Sequence, residues 1–109
     1  MRIYVAGPMR GYPNFNFPAF HEAAAQLRAA GHEVHSPAEH DESGGFDPSG
    51  SDEDFDLRAA FRWDLDQVQA ADAVVVLSGW TGSQGASAEV AVARVIGTAV
   101  LTLDQVLTL

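Results

Sequence analysis

The chain has 109 residues, 47% of them hydrophobic, enough to enclose one core and too few for two, so residues 1–109 are expected to form a single domain. Fifteen acidic residues against six arginines and no lysine give a formal net charge of −9, which opposes binding to a nucleic acid polymer, because phosphate contacts need clustered cations. No cysteine is present, so disulfides, thiolate catalysis and Cys-ligated metal or iron–sulfur centres are excluded, and any chemistry falls to carboxylates, hydroxyls, imidazoles and arginine.

Arg2 to Ala6 reads as a short first strand that stops at Gly7-Pro8. It lacks the basic n-region, apolar core and cleavage site of a signal peptide, and no run in the chain approaches the ~20 apolar residues of a membrane span, so a cytoplasmic protein without membrane contact is expected. A Gly/Pro/Asn loop over 10–17 follows. From Phe17, with Pro18 in the first turn, Phe20, Ala23, Ala24, Leu27 and Ala30 recur at helical spacing until Gly31. His32 to His35 makes a second strand before Pro37.

Residues 38–56 hold eight of the fifteen acidic groups together with Gly44, Gly45, Pro48 and Gly50. A mixture this polar predicts a long acidic loop, which leaves two readings, a lid over a site or a disordered segment. Leu57, Phe61, Leu65 and Val68 then share one face of a helix over 56–70. Asp72 to Leu77 is a third strand, near-continuously apolar as strands covered on both faces are. Ser78 to Gly85 is a loop, Ala86 to Ile96 a third helix ended by Gly97, and Ala99 to Leu103 a fourth strand with a short tail. Strands alternating with helices at this spacing predict a doubly wound α/β fold: three layers around a small parallel sheet of four to five strands. Ligands of such sheets bind beyond the carboxyl ends of the strands, here at 7–10, 36–37 and 78–85.

Two carboxylates point toward that end. Glu89 is placed in the first turn of the third helix, where unpaired N–H groups favour its ionised form, and it shares a face with Val92, Ala93 and Ile96. Asp64 lies at the edge of the second helix's apolar stripe. Each could simply complement a helix terminus or bond a neighbouring N–H, but two carboxyls converging from different helices match what glycosidic cleavage uses. Tyr4 lies two residues before the Gly-Pro turn, as a carboxylate-orienting hydroxyl or a half-buried strand aromatic. Gly7, Arg10 and Gly11 form a turn able to cradle an anion. Ser83, Gly85 and Ser87 lead into the third helix, as ligand donors or, for serine, as an N-cap. The four histidines lack metal-site spacing and the acidic loop lacks the register of a calcium hand, so no metal and no cofactor are expected.

Tyr4-Val-Ala-Gly7-Pro8, Asp64-Leu followed by Ala71-Asp72, and Ser83-x-Gly85-x-x-x-Glu89 together resemble the nucleoside 2-deoxyribosyltransferase superfamily, including its 2′-deoxynucleoside 5′-monophosphate N-glycosidases. Pro8-Met-Arg10-Gly11 and Ser78-Gly-Trp80 look closest to a compact bacterial and phage subgroup. The resemblance implies a flavodoxin-like fold and cleavage of an N-glycosidic bond through a covalent glycosyl-Glu89 intermediate, by hydrolysis or base exchange. It gives Asp64 the departing base, Tyr4 the alignment of Glu89, and Gly7, Pro8, Arg10, Gly11, Ser83, Gly85 and Ser87 the rest of the substrate. Position 83 is typically Asp in transferases acting on free nucleosides and Ser in the monophosphate glycosidases, which tilts the expected ligand toward a nucleoside 5′-monophosphate over a nucleoside. It also implies a homodimer, for which Trp63 and Trp80 offer apolar surface. The competing reading is a non-catalytic nucleotide-binding or sensor protein that uses the same crevice.

Overall fold

Ile3 to Ala6 and Ala73 to Val76 are buried throughout, as the unbroken apolar runs require when helices cover both faces of a sheet. These runs are the two central strands of a computed structural model that describes residues 1–109. Strand β1 (Arg2–Ala6) pairs in parallel with β2 (Glu33–His35) on one side and β3 (Ala73–Val76) on the other, and β4 (Ala99–Thr102) lies parallel to β3 at the far edge. The order is therefore β2-β1-β3-β4. The chain reverses its direction of winding after β2, which makes the carboxyl ends of β1 and β3 the topological switch point where such folds bind ligands.

Helix α1 (Phe17–Ala29) buries Phe17, Phe20, Ala23, Ala24 and Leu27 against Ile3, Val5 and Val75 on one face of the sheet, whereas Ala30, the last member of the predicted stripe, is the exposed C-cap. The tail after β4 also contributes there. Its sequence Thr102-x-x-Gln105 makes a reciprocal capping box that starts helix α5 (Leu103–Leu107), and Val106 closes the same core, where a short tail was expected. On the opposite face lie α3 (Leu57–Ala70) and α4 (Gln84–Val95), with Val68, Ala86, Val90 and Ala93 packed on Tyr4, Ala6, Val74 and Val76. The result is the expected three-layer α/β arrangement with four strands.

The acidic stretch read as a loop over 38–56 departs from that reading at its start. Residues Pro37–Ser43 form helix α2, with Pro37 in the first turn and Ala38 buried in the α1 core. Arg28 holds Glu39 with both terminal nitrogens, at 2.5 and 2.7 Å. Beyond it, Phe46 packs against Phe15, Phe17 and Phe55, with ring centroids 5.3, 5.9 and 4.9 Å away. Two aromatic anchors thus hold a segment whose average polarity argues against order. No helix is long and apolar enough to cross a membrane.

The other difference concerns α3. Of its predicted stripe only Val68 is buried, while Leu57 is 54% exposed. The first half of this helix rises past the end of the sheet, and its apolar side chains face a cleft.

Candidate active site

The cleft opens at the carboxyl ends of β1 and β3 and has a volume of about 870 Å³, within the range of small-molecule sites. Its floor is built first from a close approach of backbones. Gly7 follows β1 beside Leu77, and a Cβ at Gly7 would lie 2.9 Å from the Cβ of Leu77, so only glycine lets the two strand ends run this close. Gly79 has φ +86, and a Cβ there would meet the Tyr12 hydroxyl at 2.6 Å. The loop carrying Tyr12 continues into three left-handed residues in a row, Asn14, Phe15 and Asn16, an unfavourable path braced by the Asn16 amide donating to the Pro8 carbonyl at 3.0 Å.

Three side chains from three elements meet at the floor. The Tyr4 hydroxyl, on a residue with no exposed surface, donates to Oε2 of Glu89 at 2.9 Å across 85 positions of sequence. Glu89 comes from α4 and is 5% exposed. Asp64, from α3, sits against both, and its Oδ1 is buried with no hydrogen-bond partner. Burial raises the pKa of both carboxyls well above the carboxylate range, and repulsion from Asp64 raises Glu89 further. Two carboxyls in contact, one buried and one half-buried, cannot both be ionised cheaply, so the pair titrates as a unit and retains a proton at neutral pH. A proton between them also supplies the donor that Asp64 Oδ1 lacks. Tyr4 remains a phenol, its pKa raised by burial and then by the charge of Glu89.

The ionised Glu89 expected from a first-turn position is corrected by this geometry. Ser83 is the N-cap, its hydroxyl accepting from the Ala86 N–H at 3.2 Å, so α4 begins at Gln84 and Glu89 falls in the second turn. The dipole fades over that distance, and desolvation decides the outcome. Ile96, assigned to the same packed face, is 50% exposed beyond the helix end.

Of the remaining expected site residues, Gly7, Pro8, Arg10, Ser83 and Gly85 line the cleft with Tyr4, Asp64 and Glu89, whereas Gly11 and Ser87 do not. Gly11 is an exposed turn glycine with φ +84, and the Ser87 hydroxyl is directed at the Trp80 carbonyl, 3.5 Å away. Ser83 is the N-cap, and a hydroxyl that accepts from its helix keeps its own proton free to donate. Arg10 is held at 2.9 Å by Asp52 of the acidic segment.

Sequence reasoning missed one wall. Leu57, Arg58, Phe61, Arg62 and Leu65 of α3 line the cleft, as does Tyr12. Apolar periodicity marked the stripe but could not distinguish packing against protein from packing against a ligand; arginines interleaved with it were the available signal. Asp41 of α2 was also overlooked. Burial raises its pKa to about 6, and its charge acts on Asp64 and Tyr4. The two tryptophans read as uncovered apolar surface are covered from within the chain: His40 stacks on Trp63 at 3.8 Å, and the Arg94 guanidinium lies 5.8 Å from the Trp80 ring centre.

Among solved structures, the chain is similar to the 2-deoxyribosyltransferase of the psychrotolerant bacterium Bacillus psychrosaccharolyticus, with 24% identity, 94% of this chain and 71% of that one covered, and a TM-score of 0.69. It is also similar to a 2-deoxyribosyltransferase from Leishmania mexicana, with 17% identity, 93% and 62% covered, and a TM-score of 0.65. At these identities the likeness is one of fold, and the chain spans less than two thirds of the second protein. No curated protein matches. The model of a family described as a domain of unknown function, DUF4406, matches residues 1–102, and the chain belongs to that family.

Proposed function

We propose that the protein cleaves the N-glycosidic bond of a nucleoside 5′-monophosphate or nucleoside, with Glu89 as nucleophile, Asp64 as acid and base, and Tyr4 as the residue that positions Glu89. The observation that carries this reading is the contact of two carboxyls from separate helices, one bonded to a buried phenol, at the floor of a cleft at the switch point. One ionised and one protonated carboxyl in the same site are the equipment of glycoside cleavage by double displacement.

The free pair holds its proton jointly. A base accepting a hydrogen bond from Asp64 draws that proton to Asp64 and leaves Glu89 ionised, steadied by the Tyr4 hydroxyl. The Glu89 carboxylate then attacks the anomeric carbon as the bond to the base nitrogen breaks. The electron pair leaves with the base, which takes the proton of Asp64, and a glycosyl ester forms on Glu89. In the second half, water attacks the same carbon, gives a proton to the Asp64 carboxylate and releases Glu89; a second base in place of the water gives exchange. Arg10, Ser83 and the amides around Gly85 suit a 5′-phosphate.

The test is chromatographic release of free base from a panel of ribo- and deoxyribonucleosides and their 5′-monophosphates. Release that disappears in Glu89→Gln while the variant keeps its fold supports the reading. No release from any member, or undiminished release by the variant, contradicts it.

Pairing of two copies belongs to the same proposal. Val95 and Leu109 are 86% and 87% exposed, which leaves apolar surface at the end of α4 and at the C-terminus for a partner to cover. Sedimentation as a dimer at micromolar concentration is expected, and a monomer would refute it.

A further inference from the structure

Six arginines stand against fifteen acidic residues, so each cation in this chain would be expected to have a carboxylate partner. Arg2, Arg10 and Arg28 do, with Glu33, Asp52 and Glu39, and Arg94 lies over Trp80. Arg58 and Arg62 alone have neither an ion pair, a side-chain hydrogen bond nor an aromatic ring to lie over, and both line the cleft with Arg10. Half of the protein's positive charge is thus collected around one opening.

The local cost of this placement is considerable for a surface pair. Arg58 occupies the first turn of α3, where the helix dipole disfavours a cation, and Arg62 follows at the spacing that sets two like charges side by side. Asp66, four residues beyond Arg62, offsets only part of this. On the same wall Leu57, Phe61 and Leu65 offer apolar contact, so the two guanidiniums rise from a surface suited to the flat faces of a base or sugar.

Resting on the nucleotide reading above, we infer that the Arg58 and Arg62 wall binds a second phosphoryl group, distinct from the one assigned to Arg10 and Ser83, so that the preferred ligand is a nucleotide carrying at least two. Each guanidinium can hold phosphate through two parallel hydrogen bonds, and the volume of the cleft leaves room beyond a monophosphate. The second group can extend from the first, as in a nucleoside 5′-diphosphate, or lie at the other end of the sugar, as in a 3′,5′-bisphosphate.

The experiment is calorimetric binding of one nucleoside 5′-monophosphate, its 5′-diphosphate and its 3′,5′-bisphosphate to the wild-type chain and to Arg58→Gln/Arg62→Gln, with thermal melting as the control for fold. For wild type, at least one of the doubly phosphorylated ligands should bind about tenfold more tightly than the monophosphate, in line with one or two charge-assisted hydrogen bonds. Which of them gains tells where the second phosphoryl lies. The double variant should lose that advantage, so that the three ligands bind it with affinities within about twofold of one another. Equal affinities for all three ligands, or an advantage that survives the double substitution, overturn the inference even if monophosphates are cleaved. Tight, arginine-dependent binding without base release supports it while the catalytic reading falls, and no binding of any nucleotide overturns it while leaving cleavage of free nucleosides to the base-release panel.

Discussion

The two faces of the sheet are packed to different ends. On one, α1 and α5 lay Phe17, Phe20, Leu27 and Val106 against Ile3, Val5 and Val75, and no charged group is enclosed. On the other, α3 and α4 cover the sheet only partly: Val68, Val90 and Ala93 seal its lower half, while Tyr4, Asp64 and Glu89 occupy the upper half beneath an open cleft. Burying two carboxyls costs stability, and the apolar face carries the hydrophobic stabilisation that offsets it. Separate faces let one chain of this size hold a costly polar cluster without losing its core.

Substitutions that break one face and spare the other test this division. The largest effect is expected from Glu89→Gln, which should lower base release by about a thousandfold or more, as loss of a nucleophile does, with a melting temperature equal to or above the parent's. Retained turnover would detach the carboxyl pair from the chemistry. The complementary change, Leu27→Ala, removes a fully buried side chain from the apolar face. It should cost about 2–5 kcal/mol in denaturant unfolding and leave kcat unchanged below the melting transition. A large fall in kcat would show that the faces are coupled.

A smaller effect sharpens the comparison through pH. Both site carboxyls, and Asp41 at about 6, have raised pKa values in the folded chain. Their contribution to stability is fully present below the unfolded value of about 4 and is lost as pH rises through the folded values. Glu89→Gln removes one of these titrations, so its melting temperature should match the parent's near pH 4 and exceed it progressively toward pH 8. A difference that stays constant across that range would contradict the raised values. The smallest effect concerns the exposed Arg10–Asp52 pair. Asp52→Asn should change stability by less than about 1 kcal/mol. It should also modestly tighten binding of a nucleoside 5′-monophosphate, because Arg10 is released, and weaker binding would show that Asp52 serves the site.

The sheet and α1 were legible in the sequence because burial on both faces, or on one helical stripe, writes itself directly as apolar spacing. Tyr4 and Glu89 were legible as members of motifs, yet their hydrogen bond spans 85 positions and no local pattern records it. Local composition misled over 38–43, where Ser36-Pro37 starts a helix that continues into the acidic run and Arg28 secures it from another element. It misled again at α3, whose stripe is half core and half cleft wall. The protonation of Glu89 depended on Asp64 and on burial, both products of tertiary structure.

Intact-protein mass spectrometry of rapidly quenched reactions with a nucleoside 5′-monophosphate tests the central claim most directly. A fraction of the wild-type chain gaining the mass of one sugar phosphate, mapped by peptide analysis to Glu89 and missing from Glu89→Gln, is the predicted result. Base release that proceeds at full rate in Glu89→Gln, with no adduct on any carboxylate, would contradict it.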